Sequence, residues 1–381
     1  MNLAKRMFFL KKAVFTVVAV FFFVVLIELG FRVAGYEPLK SSSKTDELYQ
    51  DVLRYFVISD PQLGFKNRPN GQFVSQAIKI KPLITTDRHG FRNGFGWSEN
   101  AQNPMVVFIG DSVTFCAEVN DNETGPSEVA KLLAGEDDVT VLNAAVQAYN
   151  TLQSKRMLEA ILNKFKTIKV AVYVYCENDL YENLSTGRDL SRPTMQWDKD
   201  ENSFKTSEVP ADPLRPWGSN LHSPEVMEKR NHRGQPIRIK ITNVLRSHSA
   251  FVNRILILLR TLVSGSQKEE AIVASARDNG GDLVIEELLR QMNKLCVERG
   301  VAFLATAFTR QNDDANFKDR CQNAGVQFVG IGRFFVDHSL SYASLRIDGQ
   351  YDGHYGPEGT KAFAQGISPA IRAILDNEKD R

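Results

Sequence analysis

Cysteine is scarce in this chain. Cys116, Cys176, Cys296 and Cys321 are the only four in 381 residues, and no Cys-x-x-Cys spacing occurs. This excludes a dense disulfide framework and a thiolate zinc site, so buried free thiols are expected. An excess of charge of either sign is also missing. With 47 Lys and Arg against 45 Asp and Glu, the electrostatic footprint of a nucleic-acid-binding protein is absent, and no nucleic acid is expected as a partner. Histidine is sparse too: His89, His222, His232, His248 and His338 show neither a His-x-x-x-His pair nor the carboxylate spacing of a metal site. No catalytic metal and no cofactor is expected. There is no internal repeat and no long low-complexity tract. A chain of this length buries a sizeable core, as one large domain with insertions or as two smaller ones.

One long apolar run is present, at the N-terminus. Lys5, Arg6, Lys11 and Lys12 precede Ala13 to Ile27, which carries no charge, and apolar character resumes after Glu28. Ala13 to Val33 reaches the ~20 residues a helix needs to cross a bilayer. Glu28 and Arg32, four positions apart, can reach the headgroups or pair with each other. The basic flank is expected to stay cytoplasmic, leaving the rest of the chain periplasmic or extracellular. No small-x-small cleavage site follows, so an uncleaved single-pass anchor is expected rather than a removed signal peptide.

After this anchor, taken as residues 1–35, residues 36–103 are punctuated by Pro38, Pro61, Pro69 and Pro82 and by Ser41-Ser42-Ser43. They read as a tether followed by short strands, among them Gln76 to Lys81 and Ile84 to Arg92. From 104 to 381 strand and helix signals alternate. Strands are expected at Met105 to Ile109, Val139 to Asn143, Lys169 to Tyr175, Val301 to Ala307 and Val326 to Ile331, and helices at Glu123 to Leu133, Leu152 to Phe165 and Gly281 to Arg299. Such alternation implies an α/β fold whose parallel sheet of about five strands has helices on both faces. Residues 182–279, polar and proline-punctuated, show no sheet-like alternation and are expected to form an insertion. Within it Ile241 to Val263 reads as an amphipathic helix packed against the sheet domain, the alternatives being a helix on a membrane surface or a cap over a cleft.

Four stretches carry chemistry. Met105-Val-Val-Phe-Ile-Gly110-Asp111-Ser112 places a hydroxyl where a buried strand ends, the edge at which open α/β folds put their reactive groups. Asn143-Ala-Ala145-Val-Gln-Ala148-Tyr149 is a strand end running through small residues into a helix, and backbone amides there favour developing negative charge. Cys176-Glu177-Asn178-Asp179 ends another strand, and Asn178 offers a neutral amide NH2 to an oxyanion. Near the C-terminus, Asp352 and His354 flank Gly353; a carboxylate so placed can hold an imidazole in the tautomer a general base requires. Asp348 competes with Asp352 as that acid, and His338, next to Asp337, competes with His354 as the base.

In this order the four stretches resemble the blocks of the SGNH, or GDSL-like, hydrolase superfamily. The likeness spans about Met105 to Tyr181 and Arg346 to Leu375. It implies a flavodoxin-like three-layer α/β/α domain, with Ser112 as nucleophile, His354 as general base and then acid, and Asp352 as the group orienting the imidazole. It implies an oxyanion site made of the Ser112 NH, the Ala148 NH and the Asn178 side chain. The anchor, the Thr86-Asp-Arg-His-Gly90-Phe-Arg92 segment and the Asp-x-His spacing are similar to membrane-tethered bacterial members associated with exopolysaccharide modification. Glycine is usual where this chain has Cys116, Ala145, Ala148 and Cys176, so the pocket beside Ser112 is expected to be narrow. A backbone NH survives such replacement unless the residue needs positive φ. The expected activity is a serine esterase or O-acyltransferase whose partner is an acylated polysaccharide or another ester. A lipase or thioesterase using the same residues, and a polysaccharide-binding scaffold, are the alternatives.

Overall fold

The computed structural model describes residues 22–33, 56–74, 81–98, 102–134, 139–184, 192–207, 265–307, 313–340 and 354–379, with a few isolated positions besides. The chain divides into two compact units, Met1–Asp46 with Ser223–Ala271, and Glu47–His222 with Ile272–Arg381.

In the first unit residues 22–33 are helical. Glu28 Oε1 pairs with Arg32 Nε at 2.7 Å, and its Oε2 accepts from the Ser249 hydroxyl at 2.8 Å and the Phe251 NH at 3.0 Å. Phe22, Phe23, Leu29 and Val33 stay exposed. Among the described residues no helix is long and apolar enough to cross a membrane; part of Ala13 to Val33 lies outside them. The amphipathic helix expected at Ile241 to Val263 also lies almost wholly outside the described residues.

The second unit holds the sheet. Strands β1 (Val57–Asp60), β2 (Gly64–Asn67), β3 (Gln72–Val74) and β4 (Leu83–Thr85) come first, then β5 (Met105–Gly110), α1 (Ser112–Phe115), α2 (Gly125–Leu133), β6 (Thr140–Asn143), α3 (Thr151–Lys164), β7 (Ile168–Tyr175) and α4 (Asp179–Glu182). There follow β8 (Met195–Asp198), β9 (Ser203–Thr206), α5 (Gly265–Asp278), α6 (Gly281–Val297), β10 (Ala302–Ala307), α7 (Asp313–Asn323), β11 (Gln327–Phe328), α8 (Gly332–Asp337) and α9 (Pro357–Lys379). The five-stranded sheet runs β11-β10-β7-β5-β6 with every pair parallel. Counted within the sheet this is the flavodoxin-like order, whose ligand crevice lies at the carboxyl ends of the strands, where the winding reverses between β5 and β7.

Side-chain alternation explains the three layers. Val107, Ile109, Ala171 and Tyr173 face Leu158 and Ile161 of α3, Ile285 and Leu289 of α6 and Phe317 of α7. Their neighbours Val106, Phe108, Val170 and Val172 face Val129 and Leu133 of α2 and Phe363, Ile367 and Ile371 of α9. With both faces covered, β5 and β7 read as continuous apolar runs rather than alternating ones.

Three expectations need correction. The strand anticipated at Ile84 to Arg92 ends at Thr85: the Asp87 carboxylate accepts from the NH groups of His89 and Phe91 and folds the segment into a turn. Gly90 there has φ +87°, and a Cβ would lie 2.4 Å from the Asn67 carbonyl oxygen. The last sheet strand shrinks to Gln327–Phe328. The insertion contains a hairpin, β8 with β9, whose directly paired Trp197 and Phe204 rings lie 4.9 Å apart. The strand anticipated at Gln76 to Lys81 falls almost wholly outside the described residues.

Candidate active site

β5 delivers Ser112 to the carboxyl edge of the sheet, where Gly110 makes the turn possible. A Cβ on Gly110 would lie 2.5 Å from Thr114 Oγ1 and 2.9 Å from the Val174 carbonyl oxygen. Asp111 caps the short helix α1, its Oδ1 accepting from the Val113 NH at 3.1 Å. That carboxyl is buried, and desolvation pushes its pKa up to about 6, with the nearby Glu182 charge acting in the same direction. Ser112 is thus the first residue of a capped helix, with its NH at the N-terminal end. Among the described residues the NH groups of Ser112 and Ala148 donate to no group of the chain.

His354 meets the serine: its Nε2 lies 2.9 Å from Ser112 Oγ, across 242 positions of sequence. Its place is fixed from below, where Tyr355 packs on Phe335 with ring centroids 5.9 Å apart. Further along α9, Phe363 reaches Phe108 of β5. His338 is not part of the site. Its Nδ1 lies 2.9 Å from the Phe334 carbonyl oxygen and its ring stacks on Phe334.

Among the described residues the carboxylate facing His354 Nδ1 is that of Glu118, whose Oε1 lies 3.2 Å away. Sequence reading passed over this residue. The only signal was an isolated acid in the apolar stretch Cys116-Ala-Glu118-Val119. Asp352 and Asp348 lie outside the described residues.

Asn178 follows β7, and its Nδ2 donates to Asp111 Oδ2 and Glu182 Oε2, both at 3.3 Å. These bonds are longer than the ~2.9 Å of a good amide bond and are weak enough to be exchanged for a ligand oxygen. Glu182 is held in turn by Arg192 at 2.6 Å. Ala148 sits in the second block with φ +64°. An L-residue there is strained by about 1 kcal/mol or more. Cys116, at φ +56°, closes α1 in the same conformation. Both positions thus need the positive φ that glycine tolerates best.

Two of the altered glycines pack into the core. Cys116 and Ala145 are buried with Phe56, Ile84 and Phe115. They fill the core beneath the N-terminal extension. Burial pushes the Cys116 thiol up to about 12, so it is no nucleophile at neutral pH. All four cysteines are free, and only Cys176 is part-exposed. Among the described residues no cluster of His, Cys, Asp and Glu is placed to hold a metal ion.

Arg92 is the second residue whose importance sequence reading missed. Its side chain is fully buried; Nη1 donates to the Phe115 and Cys116 carbonyls at 2.8 Å each, Nη2 to the Val119 carbonyl at 2.7 Å, and Nε to Asp121 at 3.1 Å. Asn143 adds a bond from Nδ2 to the Thr114 carbonyl at 2.9 Å. The loop behind Ser112 is therefore pinned along most of its length.

A cavity of about 340 Å³ lined by Lys66, Arg88, His89, Phe91 and Lys164, among others, includes none of Ser112, Ala148, Asn178 or His354. It gives no reason to move the chemistry away from Ser112.

No family model matches the sequence, and no curated protein matches it. Among solved structures it is similar to TesA, at 9% identity over 71% of this chain and 99% of that one, with a TM-score of 0.39. A member of the lipolytic protein G-D-S-L family from Veillonella parvula matches at 8% identity over 70% and 98%, with a TM-score of 0.36. A catalytic mutant of an acetylxylan esterase from Geobacillus stearothermophilus matches at 14% identity over 73% and 96%, with a TM-score of 0.35. At TM-scores below 0.5 no functional step rests on these likenesses.

Proposed function

We propose that the protein is a serine esterase or O-acyltransferase acting on acyl esters, with acetyl groups on envelope or secreted carbohydrate as the substrate class. The observation that carries this reading is the 2.9 Å contact between His354 Nε2 and Ser112 Oγ at the carboxyl edge of the sheet. A hydroxyl is a weak nucleophile until an adjacent base takes its proton. As Ser112 Oγ bonds to the ester carbonyl carbon, its proton passes to His354 Nε2 and the carbonyl π pair moves onto oxygen. The NH groups of Ser112 and Ala148 and the Asn178 amide are the donors for that oxygen. Each such donor is worth about 3 kcal/mol in the transition state. Collapse expels the alcohol, which takes the proton from His354, and leaves an acyl-serine. Water then gives hydrolysis, and a sugar hydroxyl gives transfer.

The carbohydrate substrate and the extracytoplasmic location go with the N-terminal segment. What supports a membrane anchor is the uncharged run from Ala13 to Ile27 behind four basic residues and the exposed apolar side chains at Phe22, Phe23, Leu29 and Val33. In this reading the N-terminus is cytoplasmic, and residues 36–103 and 104–381 lie outside it as extension and catalytic domain.

The test is brief exposure of the purified protein to an activated acetyl ester, followed by peptide mass spectrometry and steady-state turnover. An acetyl adduct on Ser112 is expected, with turnover reduced at least ~10³-fold in Ser112→Ala. Undiminished turnover in Ser112→Ala, or no adduct and no turnover in the wild type, would refute the reading.

A further inference from the structure

The carboxylate that faces His354 belongs to the loop after the nucleophile. Glu118 is buried and its Oε1 lies 3.2 Å from His354 Nδ1, with side-chain exposures of 7% for the acid and 24% for the imidazole. Nδ1 is the nitrogen turned away from Ser112, since Nε2 makes the 2.9 Å contact to Oγ. Glu118 Oε2 is also buried, and it has no hydrogen-bond partner among the described residues. A buried carboxylate serving only the fold is normally satisfied on both oxygens; among the described residues the polar side chain nearest this one is the base.

Its backbone cannot swing away. Arg92 holds the carbonyls of Cys116 and Val119, which flank Glu118 in the chain, at 2.8 and 2.7 Å, and the Arg92 charge interacts favourably with Glu118. The N-terminal extension thereby contributes to the site without supplying a reacting atom.

We propose that Glu118 is the positioning residue for His354: Oε1 accepts from Nδ1–H and so leaves Nε2 unprotonated toward the Ser112 hydroxyl. This rests on the esterase reading above and assigns to Glu118 the role the family resemblance gives to Asp352. The chemistry is simple. A neutral imidazole carries one ring proton and a carboxylate oxygen can only accept, so a carboxylate at Nδ1 forces the base-competent tautomer. When the Ser112 Oγ–H bond breaks and the Nε2–H bond forms, the imidazolium stands beside a negative charge in a poorly solvated site.

Two readouts separate this from a merely structural role. The first is nitrogen NMR of the histidine rings in the full-length protein, with His354 assigned by its loss in His354→Gln. In the wild type the neutral ring carries its proton on Nδ1, and in Glu118→Leu, which offers no acceptor there, that preference is lost. Asp111, whose charge also acts on His354, is unchanged in that variant, so the difference isolates Glu118. The second readout is steady-state turnover of an acetyl ester. Glu118→Gln lowers kcat about 10²-fold or more with KM within about threefold, Glu118→Asp recovers part of the loss, and Asp352→Asn has the smaller effect.

A neutral ring protonated on Nε2 in the wild type, an unchanged tautomer preference in Glu118→Leu, or a kcat of Glu118→Gln within about threefold of wild type each overturns the assignment. A larger loss in Asp352→Asn than in Glu118→Gln does the same and returns the role to Asp352. Should Glu118→Gln fold poorly, Glu118→Asp and Asp352→Asn still rank the two carboxylates by their effects on kcat. If Ser112 is acetylated while Glu118→Gln behaves as wild type, only this inference falls. If the wild type is inert toward esters, the esterase reading falls and the NMR alone decides the Glu118 contact.

Discussion

Ser112 and Asn178 stand just beyond the ends of the adjacent central strands β5 and β7, whereas Glu118 and His354 stand on connections far apart in the chain. The first pair is fixed by the sheet. Val106 to Ile109 and Val170 to Val174 are buried almost completely, so the strand ends cannot move without opening the core. The second pair is fixed by polar contacts from outside the sheet: Arg92 on the Glu118 loop, and α9 with Tyr355 behind His354. Hydrophobic burial gives the first half its rigidity, while directional hydrogen bonds give the second half its register. Damage to the two halves should therefore look different.

Arg92→Met breaks the loop half most severely. It leaves the carbonyls of Phe115, Cys116 and Val119 and the Asp121 carboxylate without the cation they surround. Removing one partner of a buried charged network costs about 3–5 kcal/mol. Denaturant unfolding should give a loss of that size, against a much smaller loss for Glu118→Gln. A loss under about 1 kcal/mol would mean that the loop is held by something other than Arg92.

Asp111 tests the strand half through pH. Its folded pKa is raised from 3.8 to about 6 by burial, so the folded state holds the proton more tightly than the unfolded state. The stability this group contributes is fully present below about pH 4 and is lost as pH rises through about 6. The unfolding free energy of the wild type, measured relative to Asp111→Asn, should therefore fall by about 2–3 kcal/mol between pH 4 and 7. A flat difference would show that the buried carboxyl is not penalised by its surroundings.

The smallest effect concerns Ala148, held at φ +64°. Ala148→Gly relieves left-handed strain but adds unfolded-state entropy, leaving a net gain of about 0.5–1 kcal/mol. A gain measured by thermal unfolding would show that the alanine is held under backbone strain. No gain would mean that the second block pays no strain for its alanine.

The same contrast explains which elements are legible in the sequence. Strands β5, β6, β7 and β10 fall within a residue or two of their expected bounds, because each is buried on both faces and continuous apolar runs are local signals. The helices at Thr151–Lys164 and Gly281–Val297 were legible for the same reason, the first reinforced by the Asn150–Gln153 capping box. The turn at Thr86 to Arg92 was misread because Asp87 captures backbone NH groups that an extended strand would have offered to a neighbour. The β8–β9 hairpin was missed because its strands have only four residues each and sit in polar sequence, so the Trp197–Phe204 pairing becomes visible only across the turn.

The sequence by itself determined the parallel sheet, the strand ends that present Ser112 and Asn178, and the presence of a histidine able to serve them. These depend on hydrophobic periodicity and turn chemistry, which act over a few residues. Only the tertiary structure decided that Glu118 faces His354 Nδ1 and that Arg92 from the N-terminal extension pins the loop between them. Those contacts join segments remote in the chain, and their geometry is set by loop closure and by the hydrogen-bonding demands of buried charge, neither of which leaves a periodic trace in the sequence.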